Sequence, residues 1–446
     1  MKKKTVSSIG FLLLALPVTP AAQAYDIKDA SGYYNYSGPT KRSVFVTYMD
    51  LQDNVDAYSG DVIIPASITA DGKEVPVKGV GDHAMFNCQF VSSLTLPEGV
   101  GYILDQAFSH CYYMTSVKLP ESMELIRDYA FEYCEDLTEI SIPAKVSEFG
   151  YGVFTNCTGL VNIKVDEANT LLEDRDGILY TKGGRALVQY PAGRTADEFT
   201  VPAGTTQISD YAFTPAPFLR RIGIGPDVES ISVLTFADCA ALEEINVDEG
   251  NSALISDGGV LYNAGHTALI QYPRSRSGES YTVPEPTAEI LDMSLASCSD
   301  LKALTLPATT ARLGEYALHG TMLKDITLLA VTPPAVSAYT FDNSRYSSTT
   351  LHVPAESLQA YRSHGVWGLF SNIIAIGDSD VHEIEDATDV IKIESLCVSA
   401  PGTGMIRIYD LCGALVTEGT GSVQLPAPGI YIAEYDGKAT KITAGI

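Results

Sequence analysis

The sequence predicts a repeat solenoid in which each 23-residue rung carries a short β-strand and a helical or 3₁₀ return turn, followed by a small C-terminal β-sandwich. Three observations predict it. One apolar position, usually preceded by a small residue, recurs at Met85, Phe108, Phe131, Phe154, Phe213, Phe236, Leu295, Leu318 and Phe341, at intervals of 23, 23, 23, 59, 23, 59, 23 and 23. Each such anchor leads into an alternation, clearest at Leu137, Ile140 and Ile142 before Pro143, that has the two-residue period of a strand. The two long intervals carry one elaboration, copied 82 residues apart: Val165-Asp166-Glu167-Ala168-Asn169 returns as Val247-Asp248-Glu249-Gly250-Asn251, and Gln189-Tyr190-Pro191 as Gln271-Tyr272-Pro273.

Taken in chain order, residues 1–24 read as a secretory signal peptide cleaved after Ala24. Lys2, Lys3 and Lys4 form the basic region, Ile9 to Leu16 the apolar run, and Ala22-Gln23-Ala24 the small-residue cleavage site. That run is under half the ~20 residues a membrane-spanning helix needs, and no later stretch offers one, so the mature chain is expected to be secreted or held at the cell surface. Residues 25–78 are expected to form a β-rich N-terminal cap. The solenoid is expected over 79–376. Within it each 36-residue elaboration reads as a β-hairpin, with strands near 178–181 and 186–190 that turn at Lys182-Gly183-Gly184. An acidic linker follows at 377–389, and the short strands of 390–446 outline the β-sandwich.

The 446-residue chain is 46% hydrophobic and 19% charged, a balance that excludes disorder as its main state. Its net charge of −26 argues against nucleic acid, whose binding depends on neutralising phosphates with Lys and Arg. Oligomeric state is not legible in these features.

The rung Ala-Phe-x-x-Cys-x-x-Leu-x-x-Ile-x-Ile-Pro and the inserted Gly177-Ile178-Leu179-Tyr180 unit resemble the BspA-like leucine-rich repeats of bacterial surface proteins, widespread in Bacteroidetes. The leading segment Tyr58 to Pro65 and the closing Leu351-His352-Val353-Pro354, Tyr361 and Trp367 carry the same likeness, over about 25–376. The run Ile406-Arg407-Ile408-Tyr409-Asp410, with Pro428-Gly429-Ile430-Tyr431-Ile432, is similar to sorting domains of the type IX secretion system. The first resemblance implies adhesion, the second an address for export.

Recurring polar residues are weighed against the needs of the fold. Cys88, Cys111, Cys134, Cys157, Cys239 and Cys298 each stand three residues after an anchor. Export allows disulfides between rungs, but the position suits a column of small buried thiols, and zinc sites usually bring Cys-x-x-Cys pairs, which are missing. Cys397 and Cys412 could pair within the C-terminal module. Asp82, Asp105, Asp128, Asp210, Asp292 and Glu315 stand three before an anchor, where a carboxylate caps the N–H groups of the turn opening the Ala-Phe segment rather than gathering calcium. Glu173-Asp174-Arg175-Asp176-Gly177 resembles part of a calcium loop, yet its partner Ile255-Ser256-Asp257-Gly258-Gly259 lacks the ligands, so a tight turn is expected. No cofactor is expected.

No catalytic motif is found: the seven histidines form no metal pair, and nucleophile elbows and phosphate loops are missing. The chain therefore reads as a non-enzyme that contacts an extracellular protein or glycan, with a structural component of the envelope as the alternative. His110, Tyr112 and Tyr113, where aromatic residues that vary between rungs bunch together, are the candidate binding residues.

Overall fold

Alternating apolar and polar residues produce two strands in each rung. The longer ones include Val91–Thr95, Ser116–Lys118, Glu139–Ile142 and Asn162–Val165. In the last pair Ile140 lies beside Ile163 and Ile142 beside Val165, in parallel, so equivalent residues of successive rungs form columns ~4.8 Å apart. A second column of short strands, Tyr102–Ile103, Leu125–Ile126 and Glu148–Phe149, runs alongside in the same parallel register. Pro143 ends the longer strand because it has no N–H to give the ladder. In this computed structural model the described residues are 25–37, 40–48, 57–376, 392–394, 396–400, 405–409, 415–426, 429–435 and 438–444. The leader expected at 1–24, the linker expected at 377–389 and Cys412 lie outside them.

The return segment differs from a helical or 3₁₀ turn. It is a run of overlapping β-turns in which every fourth residue takes a left-handed conformation. In the third rung Tyr129 and Tyr133, two residues either side of Phe131, have φ of 56° and 57°. The same two positions are left-handed at His83 and Asn87, Gln106 and His110, and Met293 and Ser297. The hydrogen bonds explain why. Glu132 N–H and Cys134 N–H close turns onto Tyr129 O and Phe131 O, while Tyr129, Phe131 and Tyr133 N–H point along the stack to Tyr151, Val153 and Thr155 O of the next rung. A left-handed L-residue costs about 1–2 kcal/mol, and the cross-rung bonds it allows offset this at about 0.5–1.5 kcal/mol each.

Those bonds also revise the repeat. An anchor N–H meets the carbonyl just before the next anchor: Phe108 N–H to Ala130 O, Tyr190 N–H to Ala212 O, Tyr272 N–H to Ser294 O. Tyr190 and Tyr272 are therefore anchors too, and each 59-residue interval resolves into rungs of 36 and 23. Their rings join the central stack, with Tyr190 5.6 Å from Phe213 and Phe213 5.6 Å from Phe236.

The elaboration is a three-stranded meander rather than a single hairpin: Leu172–Arg175, Ile178–Thr181 and Ala186–Gln189 pair in antiparallel order. Its third strand enters the short-strand column beside Gln207–Ile208. Its first turn, Asp176-Gly177 with φ of 51° and 71°, is the left-handed pair a two-residue hairpin needs. That tip docks back on the long-strand column, where Ile163 N–H donates to Gly177 O. Buried Asn169 anchors the base: its amide donates to Pro143 O and Val146 O, and its carbonyl accepts from Leu171 and Leu172 N–H. Asn251 repeats all four bonds in the second copy.

Both ends of this unit are covered. Ile27–Asp29, Gly32–Tyr36 and Val44–Thr47 continue the short-strand column beyond Lys73–Val80, and strand stacking in the long column already begins at Gly60–Ile63, beside Val91–Thr95. At the far end the helix Leu358–Ser363 and the turn at Trp367 pack aromatic rings over the last rungs, with Phe341 5.3 Å from Trp367. Trp367 Nε1 donates to Pro334 O and Tyr361 Oη to Ala330 O, so the polar tips of these buried rings are satisfied.

A second compact unit starts at Ile374. It has two antiparallel sheets, one with Lys392–Glu394, Cys397–Ser399 and Ser422–Gln424, the other with Met405–Tyr409, Leu415–Thr420, Gly429–Tyr435 and Lys438–Ala444. Val398, Val423 and Leu425 share a core with Ile406, Ile408 and Ala433.

Candidate functional site

The columns place most recurring side chains in the interior. All nine expected anchors, Met85, Phe108, Phe131, Phe154, Phe213, Phe236, Leu295, Leu318 and Phe341, are buried. The six cysteines three residues on are buried thiols. Cys111, Cys134, Cys157 and Cys239 donate to the anchor carbonyl of the preceding rung, at Met85, Phe108, Phe131 and Phe213, over 3.0–3.4 Å. Burial pushes the Cys239 and Cys298 thiols up to about 12 and Cys111 and Cys134 well above their ordinary value, which removes thiolate chemistry.

The acidic column caps backbone as expected, but across rungs and not within its own turn. Asp82 Oδ1 accepts from Asp105 N–H, Asp105 from Asp128 N–H, Asp128 from Tyr151 N–H and Asp292 from Glu315 N–H, each 23 residues on. Stacking puts these carboxylates near one another. Burial, then Asp128 and Asp82, hold the Asp105 carboxyl above its usual range. Among the described residues no group of three His, Cys, Asp or Glu side chains is placed to hold a metal ion. Asp174 of the calcium-like segment accepts from Val165 N–H, and Glu173 from Gly183 N–H.

What the columns leave over is an aromatic belt on the first three rungs. The His110 ring lies 5.2 Å from Phe86, 5.6 Å from Tyr112 at 88°, and 4.5 Å from Tyr133. Tyr112 and Tyr133 are 6.2 Å apart, and His83 extends the group through Phe86 at 5.6 Å. His110 and Tyr112 are thus brought together. Tyr113 instead stacks on Phe90 at 6.4 Å, with 56% and 52% of the two residues exposed. Reading along the chain found His110, Tyr112 and Tyr113 but missed Phe86, Phe90 and Tyr133, which belong to neighbouring rungs. The 23-residue separation of Phe90 and Tyr113 was the available signal.

A polar chain lies under the belt. Ser109 Oγ is hydrogen-bonded to His110 Nδ1 at 2.8 Å and donates to Glu132 Oε2 at 3.0 Å. Burial holds the His110 imidazole below its ordinary value, which favours the neutral ring. Burial also raises the Glu132 carboxyl, against the pull of the Ser109 bond, and raises the Tyr112 and Tyr133 phenols, helped by nearby glutamates. The His110, Tyr112 and Tyr133 rings are therefore neutral, amphipathic contact surfaces at neutral pH. Ser109 is fully buried, so this chain of polar groups presents no nucleophile.

Among the described residues no helix is long and apolar enough to cross a membrane. A family model described as the BspA type leucine rich repeat region matches in six copies over residues 74–175, 193–258 and 272–363. No curated protein matches the chain. Similar solved structures include a leucine rich cell surface protein from Faecalibacterium prausnitzii, 20% identical over 81% of this chain and 96% of its own, with a TM-score of 0.43. The pneumococcal vaccine antigen PcpA is 18% identical over 78% of this chain and 98% of its own, with a TM-score of 0.44. A leucine-rich repeat protein from Bacteroides ovatus is 16% identical over 76% and 97%, with a TM-score of 0.28.

Proposed function

The chain belongs to the BspA-type leucine-rich-repeat family, and from that premise we propose that it is a secreted or cell-surface binding protein that contacts an extracellular protein or glycan through the aromatic belt. One observation carries the reading. The recurring cysteines and acids serve the stack, whereas Phe86, Phe90, His110, Tyr112, Tyr113 and Tyr133 occupy positions that vary along the array and gather on three consecutive rungs. Aromatic residues of this kind give large contact area at low entropy cost and dominate binding hot spots. The net charge of −26 supports a partner other than nucleic acid or an anionic lipid surface. The C-terminal unit is read as the export address, and residues 1–24 as the leader.

The test is a binding array of purified protein against matrix proteins and glycans, repeated with Phe90→Ala/Tyr113→Ala. Both side chains are more than half exposed, so the fold should survive. The expected result is a ligand whose affinity falls at least tenfold, about 1.4 kcal/mol, in the double variant. Undiminished binding by the variant, or silence of the native protein across both ligand classes, would overturn the reading.

A further inference from the structure

The duplicated block supplies its own comparison. In the first copy the meander tip is clasped by Arg194, whose Nε donates to Val161 O and whose terminal nitrogens hold Asp176 through its backbone carbonyl and, at 3.2 Å, its carboxylate. In the second copy the clasp is Arg276. Its Nε donates to Gly258 O at 3.1 Å, and its guanidinium lies over the Tyr272 and Tyr281 rings, 5.7 and 5.4 Å from their centroids. Gly258 stands where the first copy has Asp176. The arginine is kept and positioned, but its carboxylate partner has been deleted, and among the described residues Arg276 makes no ion pair.

The space beside it is an open groove of about 420 Å³ lined by Arg220, Glu243, Glu244, Gly258, Ser275, Arg276 and Ser277, within the ~300–1,000 Å³ of small-molecule sites. Arg220 is committed to Glu243, with contacts of 2.7 and 2.9 Å, which leaves Arg276 as the cation available to an incoming anion. We propose that this groove binds a carboxylate-bearing saccharide, its carboxylate taking the place of the missing Asp176 side chain. A planar carboxylate suits the guanidinium fork. Glu243 is held by Arg220, so Glu244 is the carboxylate left to repel a second negative charge and to favour a ligand with hydroxyl donors next to its carboxylate, as in a hexuronate. The walls are polar and offer no apolar socket for a peptide side chain. These rungs are remote in sequence from the aromatic belt, so the site stands or fails separately from the reading above.

Titration calorimetry on the full chain tests it, with tri-galacturonate, the neutral galactose trimer and a short glutamate peptide as probes. Saturable binding of the uronate at one site is expected, with the other two at least tenfold weaker. Gly258→Asp should close the site. Gly258 has φ of 54° and Asp176 has 51°, and a Cβ at Gly258 would sit 3.5 Å from Arg276 Nη2, so the new aspartate fits and should cut uronate affinity at least tenfold with the circular dichroism spectrum unchanged. Uronate binding unchanged in Gly258→Asp, equal binding of the neutral trimer or the peptide, or no uronate binding at millimolar concentration would overturn the proposal.

Discussion

A side chain in this array answers first to its column, and Glu132 shows what that costs. Its carboxylate sits where Ser109 Oγ can donate to it, directly after the anchor Phe131 and directly before the left-handed Tyr133. Burial raises its folded-state proton affinity above the ordinary value of 4.5. The folded chain then binds a proton that the unfolded chain has released. Stability therefore falls as pH rises from the ordinary glutamate range through the raised folded value, and is regained on acidification. Glu132→Gln keeps an acceptor for Ser109 but removes the titration. The variant should melt higher than the native protein at pH 7, with the gap closing by about pH 4. Equal gaps in melting temperature at both pH values would show that the carboxyl is not strained by burial. The left-handed positions around it were not legible in the sequence. They are filled by Tyr, His, Gln and Met as well as Asn and Gly, because cross-rung hydrogen bonds, and not local preference, impose the conformation.

At the level of the element, the rung was legible and the elaboration only half so. A fixed 23-residue spacing repeats a pattern of burial, and such repetition exposes itself. The inserted rung is longer by thirteen, its anchor is a Tyr preceded by Gln189 or Gln271 instead of a small residue, and so Tyr190 and Tyr272 passed for parts of a hairpin. Gln189 is tolerated there because its amide donates to Tyr190 O. The first strand of the meander, Leu172–Arg175, was hidden for a related reason. Leu-Glu-Asp-Arg shows no alternation, and its place is set by Asn169 at one end and the Asp176-Gly177 turn at the other. If Tyr190 is an anchor, Tyr190→Ala should cost about 3–5 kcal/mol, as other large buried rings do. Phe218→Ala, five residues after the next anchor and 49% exposed, should cost under about 1 kcal/mol. Urea denaturation followed by circular dichroism would read both. A small loss at Tyr190 would return it to a mere insertion.

For the whole molecule, stability accumulates along one axis, so the ends decide whether the stack survives in water. The binding surface follows the same logic. His110 and Tyr112 drew attention because they lie close in sequence, while Phe86 and Tyr133 become their neighbours, and Phe90 that of Tyr113, only through stacking, which a linear reading does not resolve without the register. At the C-terminal end, Phe341, Tyr361, Trp367 and Phe370 close the core over the last rungs, and the unit beginning at Ile374 has a core of its own. Two truncations separate folding from address. A chain stopped after residue 376 retains the covering rings and should keep the far-ultraviolet spectrum and cooperative melt of the solenoid. A chain stopped after residue 340 loses them, leaves Leu318, Leu323 and Leu328 without their cover, and should aggregate or melt at markedly lower temperature. If the C-terminal unit is the export address, the first truncation should fold but disappear from the cell surface. A chain ending at 376 that is still displayed would remove that role from the unit, and one that fails to fold would show that the aromatic cover is insufficient to end the stack.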